Sequence, residues 1–368
     1  MGSTVYFANA RARTSKQNYI KKIRSLFESA GFGDLITKNN LTAIKVHFGE
    51  RGSSSFVNPL FIRQVVDLIK EKGGKPFVTD TNTLYSGSRS NAVDHIRTAI
   101  EHGFNYAVIG APIIIADGLK SQNIREVVIN LKHFKSIKIA ADIADADSMI
   151  MINHFKGHEL SGFAGAIKNM AMGCTPSVGK KEQHSPGIFV VGEKCVGCGQ
   201  CIEICPVSAI HLKENKAYIN RKICTGCGEC MTICPTHAIE FDWNTELVPF
   251  VERMVEYAYG IFQNKKGKIG FINVLFTITP DCDCAPWSDA SIVPDIGILA
   301  SIDPVALDKA SYDLVNKTTG IMNTFLKSHF KPGKDKFKGV WNKTDGLLQI
   351  TFGEQMGLGT GSYSLVEI

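Results

Sequence analysis

The sequence predicts an α/β protein with a mostly parallel, helix-covered sheet built from both ends of the chain, and a small α+β domain inserted between them. Strand-like and helix-like segments alternate along most of the 368 residues, a pattern typical of helix-covered parallel sheets. The alternation is interrupted by one stretch that holds eight of the eleven cysteines. Because so long a chain usually exceeds a single hydrophobic core, we expect an α/β domain at 1–190 and 243–368 and an insert at 191–242.

The first part of the chain contains four expected strands, which are short runs rich in apolar and β-branched residues: Thr4–Ala8, Leu41–Phe48, Pro76–Thr79 and Met149–Asn153. Apolar residues at helical spacing predict four helices: Ser15–Ala30, Asn58–Lys72, Asn91–Gly103 and Leu160–Met172. The last helix is rich in alanine and glycine. Such small side chains would let a ligand or another backbone come close.

The alternation resumes after the cysteines. Strands are expected at Lys268–Thr279 and Ile296–Ala300. Asp303 followed by a proline predicts the start of a helix, with the aspartate as its N-cap. The glycine-rich run at 357–361 follows no clear strand and opens no helix, so we expect a flexible tail there.

Charge and hydropathy argue against several classes of partner. The 41 basic and 35 acidic residues give a net charge of +6, which is too small to indicate nucleic-acid binding. The N-terminus lacks the apolar core of a secretory signal, and the longest apolar runs, such as Phe271–Ile278, are too short to span a membrane. We therefore expect a cytoplasmic protein without a nucleic-acid or membrane partner. In such a chain, clustered cysteines indicate metal binding rather than disulfides.

The cysteine-rich stretch contains the pattern Cys-x2-Cys-x2-Cys-x3-Cys-Pro twice. Three cysteines at this spacing let a glycine-assisted loop wrap three corners of a cubane, and the fourth cysteine reaches the cluster of the other half. The pattern therefore predicts two [4Fe–4S] clusters. Cluster one would be bound by Cys195, Cys198, Cys201 and Cys234, and cluster two by Cys224, Cys227, Cys230 and Cys205. Structural zinc is the alternative for paired cysteines, but zinc sites use longer gaps; clusters that serve only as structural staples are a further alternative.

Residues Glu193–Ile239, called the cysteine-rich segment below, resemble the two-cluster bacterial ferredoxins. The resemblance implies low-potential electron transfer and a redox partner protein. Ferredoxins of this type are usually acidic, whereas this segment has five basic and four acidic side chains. A nearly neutral surface favours a domain docked on its own chain over a free electron carrier.

Polar side chains also lie where the expected strands end, which is the usual place for a site in an open α/β sheet. The catalytic candidates are Asp80, His154, Lys156, His158 and Lys168, with Lys45, His47 and Glu50 at the end of the second strand. A lysine, or the N-terminal end of the helix expected at Leu160–Met172, could hold a small anionic substrate, and a histidine could donate a proton. Candidate ligands for an additional metal are Cys174, His184, Cys282 and Cys284.

Each candidate also has a plain structural explanation. Lys45 alternates with apolar neighbours and could lie on a solvated strand face, and Cys174 could be a small buried hydrophobe. Cys282 and Cys284 could be a metal pair or surface thiols. The clustering of the candidates at strand ends favours a real second site.

Five runs carry a resemblance that covers nearly the whole chain: KVHFGE at 45–50, FVTDTNTLY at 77–85, NHFKGHELSGFAGAIKNMAMGC at 153–174, DCDC at 281–284 and VPDIGILASIDPVALDKAS at 293–311. They resemble the Fe–S centre proteins of the family named domain of unknown function 362. The resemblance implies the α/β architecture, the inserted ferredoxin domain and its clusters, but no particular reaction. Its Lys-x-His and Lys-Asn elements fall on Lys156, His158, Lys168 and Asn169, which implies a site without naming its chemistry.

Three functions fit the sequence. The first is an iron–sulfur protein that transfers low-potential electrons to a partner or to a site in its own α/β domain. The second is an iron–sulfur-dependent oxidoreductase with a substrate or second metal near His154, Lys156 and His158. The third is a metal-delivery or maturation module that uses Cys282 and Cys284. No flavin, nicotinamide or P-loop fingerprint is found in the sequence.

Overall fold

The computed structural model describes residues 2–85, 87–184, 189–224, 229–236, 238–241 and 247–368. Its strands are β1 (Ser3–Asn9), β2 (Leu41–Val46), β3 (Lys75–Asp80), β4 (Ile113–Ile115), β5 (Ile124–Val128), β6 (Ser136–Ala140), β7 (Ser148–His154), β8 (Lys156–His158), β9 (Gly162–Ala164), β10 (Phe189–Val191), β11 (Ile210–Lys213), β12 (Lys216–Ile219), β13 (Ile239–Phe241), β14 (Ile269–Leu275), β15 (Gly297–Ser301) and β16 (Tyr363–Glu367). The expected strands therefore form at or near their predicted positions.

The helices are α1 (Tyr19–Ser29), α2 (Pro59–Glu71), α3 (Ala92–Glu101), α4 (Tyr106–Ile109), α5 (Ala141–Asp145), α6 (Ala166–Gly173), α7 (Ser177–His184), α8 (Gln200–Ile204), α9 (Glu229–Ile233), α10 (Leu247–Asn264), α11 (Pro304–Lys317), α12 (Lys336–Val340) and α13 (Leu347–Gln355). Asp303 caps α11 as predicted, because its carboxylate accepts the backbone N–H groups of Val305 and Ala306 at 2.9 Å. Among the helices of the described residues, none is long and apolar enough to cross a membrane.

Eight strands form the central sheet in the order β16-β1-β15-β14-β7-β2-β3-β4. The pairs β16–β1, β14–β7, β7–β2, β2–β3 and β3–β4 are parallel, and the two pairs that involve β15 are antiparallel. The mostly parallel sheet is confirmed, and strands from both ends of the chain contribute to it.

Helices cover both faces of this sheet. Side chains of α1 and α2, such as Phe27 and Val66, pack in one buried cluster. The other cluster contains side chains of α6, α10 and α11 together with apolar groups of the cysteine-rich segment, including Ile210 and Ile239. The apolar groups of the cysteine-rich segment are therefore continuous with the buried cluster that contains side chains of α10. The expected boundary between residues 242 and 243 lies outside the described residues, and the division into domains stays a prediction.

The helix predicted at Leu160–Met172 is wrong in its first half. Gly162–Ala164 instead forms β9, which pairs antiparallel with β8, and the helix begins only at Ala166. Gly162 has a φ of 81°, in the left-handed region that interrupts a helix. The carboxylate of Asp308 accepts the backbone N–H groups of Ala166 and Ile167 at 2.8 and 2.9 Å, which fixes the start of α6 from a distant part of the chain.

The glycine-rich run at 357–361 is not a flexible tail. The backbone N–H of Thr360 donates to Asp303 at 3.0 Å. A Cβ atom on Gly359 would lie 2.0 Å from the same carboxylate, so any larger residue would have to displace the side chain that caps α11. The residues that follow form β16, which pairs with β1 at the edge of the sheet. The run is a packed turn that leads into the last strand.

Candidate functional site

The carboxyl ends of four parallel strands meet at one edge of the sheet, as the sequence predicted. Asp80 ends β3, His154 ends β7 and His47 directly follows β2. The loop after β14 carries Cys282 and Cys284 to the same edge, where Cys284 Sγ lies 3.5 Å from His47 Nε2. Parallel strands place their following loops on one side of the sheet, which explains why residues distant in sequence converge here.

A cavity of about 110 Å³ opens between these strand ends and α6, and we call it the inner cavity. All five catalytic candidates line it: Asp80, His154, Lys156, His158 and Lys168. His47, His184, Cys282 and Cys284 line it as well. Of the candidates in the α/β part, Lys45, Glu50 and Cys174 do not line this cavity, and the catalytic roles of those that do stay predictions.

A buried network of charged side chains lies at the base of the inner cavity. Lys45 is fully buried, and its Nζ lies 2.9 Å from the Asp80 carboxylate and 2.9 Å from Asn169 Oδ1. The expectation of a solvated strand face for Lys45 is therefore wrong. Burial would raise the pKa of Asp80, but Lys45 and the His95 ring, whose Nε2 lies 3.6 Å from the carboxylate, hold it well below its usual range. Asp80 is thus a fixed anion that organises cations, and it is unsuited to donating a proton.

Asp283 anchors the loop that carries the two cysteines. Its fully buried carboxylate lies 2.9 Å from Lys156 Nζ and accepts hydrogen bonds from His154 Nδ1 at 2.8 Å and Ser55 Oγ at 3.0 Å. The other ring nitrogen of His154 faces the backbone oxygens of Phe276 and Thr277. His154 therefore has both nitrogens engaged in positioning the loop, and it is a positioning residue in this geometry.

Glycine lets this loop approach the sheet edge closely. A Cβ atom on Gly157 would lie 2.2 Å from the backbone oxygen of Pro280, and one on Gly52 would lie 2.4 Å from that of Pro286. No side chain fits at either contact without displacing backbone. The glycine of the Lys-Gly-His sequence is therefore needed for the packing of the loop at 280–286.

The two thiols of this loop lie side by side. Cys282 Sγ is 3.2 Å from Cys284 Sγ, and Lys168 Nζ donates to Cys282 Sγ at 3.4 Å. Potential ligand atoms of His47, Cys282 and Cys284 all lie within 4.8 Å of one another, so they could hold a metal ion. Cys174 is buried in the hydrophobic core, and burial raises the pKa of its thiol to about 11, which suits the predicted alternative of a small apolar residue.

The sequence predicted that a histidine would donate a proton, but the protonation of the groups that line the inner cavity does not support this role. His158 Nδ1 accepts the backbone N–H groups of Leu160 and Ser161. Burial and the nearby Lys168 lower the pKa of His158 well below its usual range, so the ring is neutral. Burial, reinforced by a Cys282 thiolate, raises the pKa of Glu159 to about 7. Glu159 and Lys180, whose pKa is about 8, are therefore the groups lining the inner cavity whose pKa values lie nearest neutral pH.

Several lining residues were missed by sequence reasoning. They are Tyr85, Arg89, Glu159 and Lys180. Burial lowers the pKa of Lys180 to about 8, and Arg89, only 1% exposed, lies between Glu50 and Asp80. Glu159 directly follows the Lys-Gly-His sequence, which was a usable signal; Arg89 and Lys180 lie in polar stretches that gave none. The expected anion site at the start of the helix is wrong, because the Asp308 carboxylate occupies that position.

The cysteine-rich segment brings the four cysteines predicted for cluster one around one small cavity, namely Cys195, Cys198, Cys201 and Cys234. The backbone N–H of Ala217 donates to Cys195 Sγ at 3.3 Å and that of Ala238 to Cys234 Sγ at 3.2 Å. Of the cysteines predicted for cluster two, Cys205 accepts a matching bond from Ala209 at 3.2 Å. Cys224 and Cys230 are buried nearby in the same hydrophobic cluster, and Cys227 lies outside the described residues.

A larger cavity of about 750 Å³, the outer cavity, lies between the cysteine-rich segment and the α/β part. Lys194, Met231, Ile239 and Glu240 line one side, and Cys282, Cys284, Trp287 and Trp341 line the other. Tyr85, Glu159, Cys282 and Cys284 line both the inner and the outer cavity. Ile239 also lines the cavity of the cluster-one cysteines. The two thiols thus lie between the inner cavity and the cysteine-rich segment.

Residues 42–313 match the family described as domain of unknown function (DUF362). The chain belongs to this family. The match spans the hairpin of β8 and β9, which contains Lys156 and His158, and the loop at 280–286, which contains Cys282 and Cys284. The DUF362 region therefore contains the inner cavity.

Curated relatives match a short part of this DUF362 chain. Ferredoxin-2 of Desulfomicrobium norvegicum is 43% identical over 30 residues, which is 8% of this chain and 51% of that protein. An uncharacterized protein of Porphyra purpurea is 50% identical over 32 residues, 9% of this chain and 43% of that protein. The chain thus spans about half the length of these relatives. The ferredoxin similarity and the grouped cysteines point to iron–sulfur or metal binding.

Solved structures resemble the fold of this DUF362 chain only loosely. The lactate racemase apoprotein of Thermoanaerobacterium thermosaccharolyticum gives a TM-score of 0.37 at 13% identity, covering 74% of this chain and 51% of that one. A protein of Thermotoga maritima gives a TM-score of 0.36 at 12% identity, covering 72% and 52%.

Proposed function

We propose that this chain is an iron–sulfur oxidoreductase that carries two [4Fe–4S] clusters in its cysteine-rich segment and acts on a small anionic substrate in its α/β part. The observation that carries the proposal is the outer cavity, which is bordered by the cysteine-rich segment on one side and by Cys282 and Cys284 on the other. A freely diffusing carrier would gain nothing from such an internal contact. Electron transfer within the chain is therefore favoured over transfer to a separate redox partner protein.

The cysteines suit the clusters chemically. Four thiol groups around one small cavity are the donor set that a cubane requires. Backbone N–H groups directed at Cys195 and Cys234 would stabilise thiolate ligands and tune the potential of a bound cluster. When bound, the clusters would supply single electrons at low potential.

Charge in the inner cavity suits an anion. Arg89, Lys156, Lys168 and Lys180 line it, against the carboxyl groups of Asp80 and Glu159. Asp80 is paired with Lys45, and Lys156 is paired with Asp283. Lys168 and Lys180 lie at hydrogen-bond distance from thiol, hydroxyl or backbone groups rather than from carboxylates. They are the cations best placed to bind an anionic group of a small substrate.

Glu159 would donate the proton that reduction of the substrate requires. Its pKa of about 7 means that the carboxyl is partly protonated at neutral pH, and it lines the inner cavity beside the thiols. His158, held neutral, would act as a hydrogen-bond donor through Nε2, since its Nδ1 accepts two backbone N–H groups. Reduction of a bound substrate would thus draw its proton from a carboxylic acid.

The experiment is anaerobic purification followed by measurement of all metals and acid-labile sulfide. We expect about eight irons and eight sulfides per chain. Cys198→Ser should remove roughly half of the iron, because it alters one ligand set. Cys174→Ser, which changes a buried core thiol, is the matched control and should keep the full iron content. Iron content near zero in the wild-type chain, or unchanged iron in Cys198→Ser, would contradict the proposal.

Metal delivery is the second candidate function. The observation in its favour is the group formed by His47, Cys282 and Cys284, whose ligand atoms lie within 4.8 Å of one another. The measurement of all metals distinguishes the two functions, since a metal other than iron that is lost in Cys284→Ser would favour metal delivery.

A further inference from the structure

We infer that Cys282 and Cys284 form a reversible thiol–disulfide couple that stores two electrons beside the outer cavity. Their Sγ atoms lie 3.2 Å apart, so they need to approach by only about 1 Å to reach the bond length of a disulfide, about 2.05 Å. The inference deepens the proposed function and rests on it for the source of the electrons. The couple itself needs only these two thiols.

The backbone holds the two cysteines as a pair. The N–H of Ala285 donates to the backbone oxygen of Cys282 at 3.0 Å, which closes a turn around the pair. Tyr85 Oη donates to the backbone oxygen of Cys284 at 3.2 Å, and the N–H of Glu50 donates to that of Asp283 at 2.9 Å. Asp283, the residue between the two cysteines in sequence, is anchored through its buried carboxylate, so the two thiols are held in fixed proximity. This geometry lowers the entropic cost of closing the bond.

Neighbouring groups favour the thiolate, which is the reactive form in thiol–disulfide exchange. Lys168 Nζ donates directly to Cys282 Sγ. Because Lys168 donates to Cys282, the Cys284 thiol 3.2 Å away is placed to donate its S–H to the same sulfur. Cys282 is only 6% exposed while Cys284 is half-buried, and both line the outer cavity. A small disulfide in that cavity can therefore reach the pair.

A metal ion is disfavoured at the same place by hydrogen bonding and by charge. The backbone N–H of Gly49 donates to His47 Nδ1 at 3.0 Å. Nε2, the ring nitrogen nearest Cys284, faces the guanidinium of Arg89, which can only donate a hydrogen bond, so its lone pair is directed at that cation. Arg89 Nη1 lies 3.2 Å from the same nitrogen, and Lys168 contacts Cys282. Two cations beside the ligand atoms would repel a divalent ion and stabilise thiolates.

The reaction balances as two exchange steps. One thiolate attacks a sulfur of a low-molecular-weight disulfide, forms a mixed disulfide and releases the first thiol. The second thiolate then attacks the mixed disulfide, forms the Cys282–Cys284 bond and releases the second thiol. The protein pair loses two electrons and the one proton of its thiol, and the external disulfide gains both electrons. Solvent supplies the second proton that the two released thiols require. Reduction by two electrons and one proton restores the thiol–thiolate pair, and two one-electron clusters together can supply both electrons.

The test uses the full chain under anaerobic conditions. The protein is equilibrated with 2-mercaptoethanol and 2-hydroxyethyl disulfide at a series of ratios, quenched with acid, alkylated and digested with trypsin. The tryptic peptide Ile269–Lys309 contains Cys282 and Cys284 and no other cysteine. We expect the doubly alkylated peptide to convert into one that is two mass units lighter than the free dithiol, along a two-electron titration curve.

Matched variants make the result specific. Cys174→Ser should leave the titration unchanged. Cys282→Ser and Cys284→Ser should each abolish the intramolecular disulfide and leave a mixed disulfide with the reagent. Lys168→Met should slow alkylation of the pair at neutral pH by about tenfold or more, and Lys168→Arg should restore most of the rate, because either cation stabilises a thiolate.

Two results would overturn the inference. The first is a peptide that stays doubly alkylated at every reagent ratio. The second is a stoichiometric bound metal that protects both thiols from alkylation until a chelator removes it. Failure of the proposed function can be told apart from failure of this inference. A chain that lacks iron but forms the disulfide would contradict the iron–sulfur function and leave the thiol couple supported. A chain with about eight irons and no disulfide would contradict the couple and leave the clusters supported.

Discussion

Replacing Asp283 by asparagine should destabilise the protein through the loop that carries the thiol pair. Asparagine has nearly the same shape but no charge, so Lys156 and the His154 ring would lose the carboxylate at 2.9 and 2.8 Å. Removing one partner of a buried ion pair costs about 3–5 kcal/mol. For 368 residues, an unfolding entropy of about 2.1 cal/mol/K per residue converts this cost into a Tm lower by about 4–6 °C.

The assay is thermal unfolding of Asp283→Asn beside Asp289→Asn, an exposed aspartate of the same loop whose replacement should shift Tm by under about 1 °C. In a Lys156→Met background the cost of Asp283→Asn should fall by about 1 kcal/mol or more, since the two side chains are in contact. Equal Tm values for the two asparagine variants, or strict additivity with Lys156→Met, would refute the idea that this ion pair holds the loop.

Two further predictions concern the residues beside this loop. Gly157→Ala should lower the free energy of unfolding by about 1–3 kcal/mol and expose the thiol pair to faster alkylation, because its Cβ would lie 2.2 Å from the backbone oxygen of Pro280. Gly192→Ala is the control, since the nearest atom to its Cβ would lie 3.5 Å away. Equal alkylation rates for the two variants would contradict the packing argument. Burial raises the pKa of Glu159 from 4.5 to about 7, so the folded state binds this proton more tightly and its contribution to stability falls as the pH rises through that window. The Tm of Glu159→Gln minus the Tm of the wild type should therefore be larger at pH 8 than at pH 5. A Tm difference that does not change with pH would show that Glu159 does not titrate in this range.

The sequence was sufficient where a local pattern has a single structural consequence. Alternating apolar segments predicted the strands of the sheet, and parallel strands put their carboxyl ends on one edge. Asp80, His154 and the Lys-Gly-His residues therefore converge as expected. Asp303 capped its helix because an N-cap depends on the two or three residues that follow it.

Other features depended on contacts with distant parts of the chain. The helix expected from Leu160 begins only at Ala166, because Asp308 supplies its cap and Gly162 turns the chain before it. Lys45 matched the pattern of a solvated strand face, yet it is buried because Asp80 and Asn169 satisfy its ammonium group. Periodicity records the polarity of a side chain and carries no information about a partner more than a hundred residues away.

By itself, the sequence determined the cysteine repeat, the strands of the sheet and the edge at which a site would form, because each follows from spacing along the chain. Only the tertiary structure decided that Cys282 and Cys284 lie between the inner and outer cavities, with Lys168 at one thiol and His47 at the other. It also decided which carboxyl group can exchange a proton near pH 7. The reason is that burial and the charges of neighbours, which set reactivity, are properties of the folded arrangement and not of any one segment.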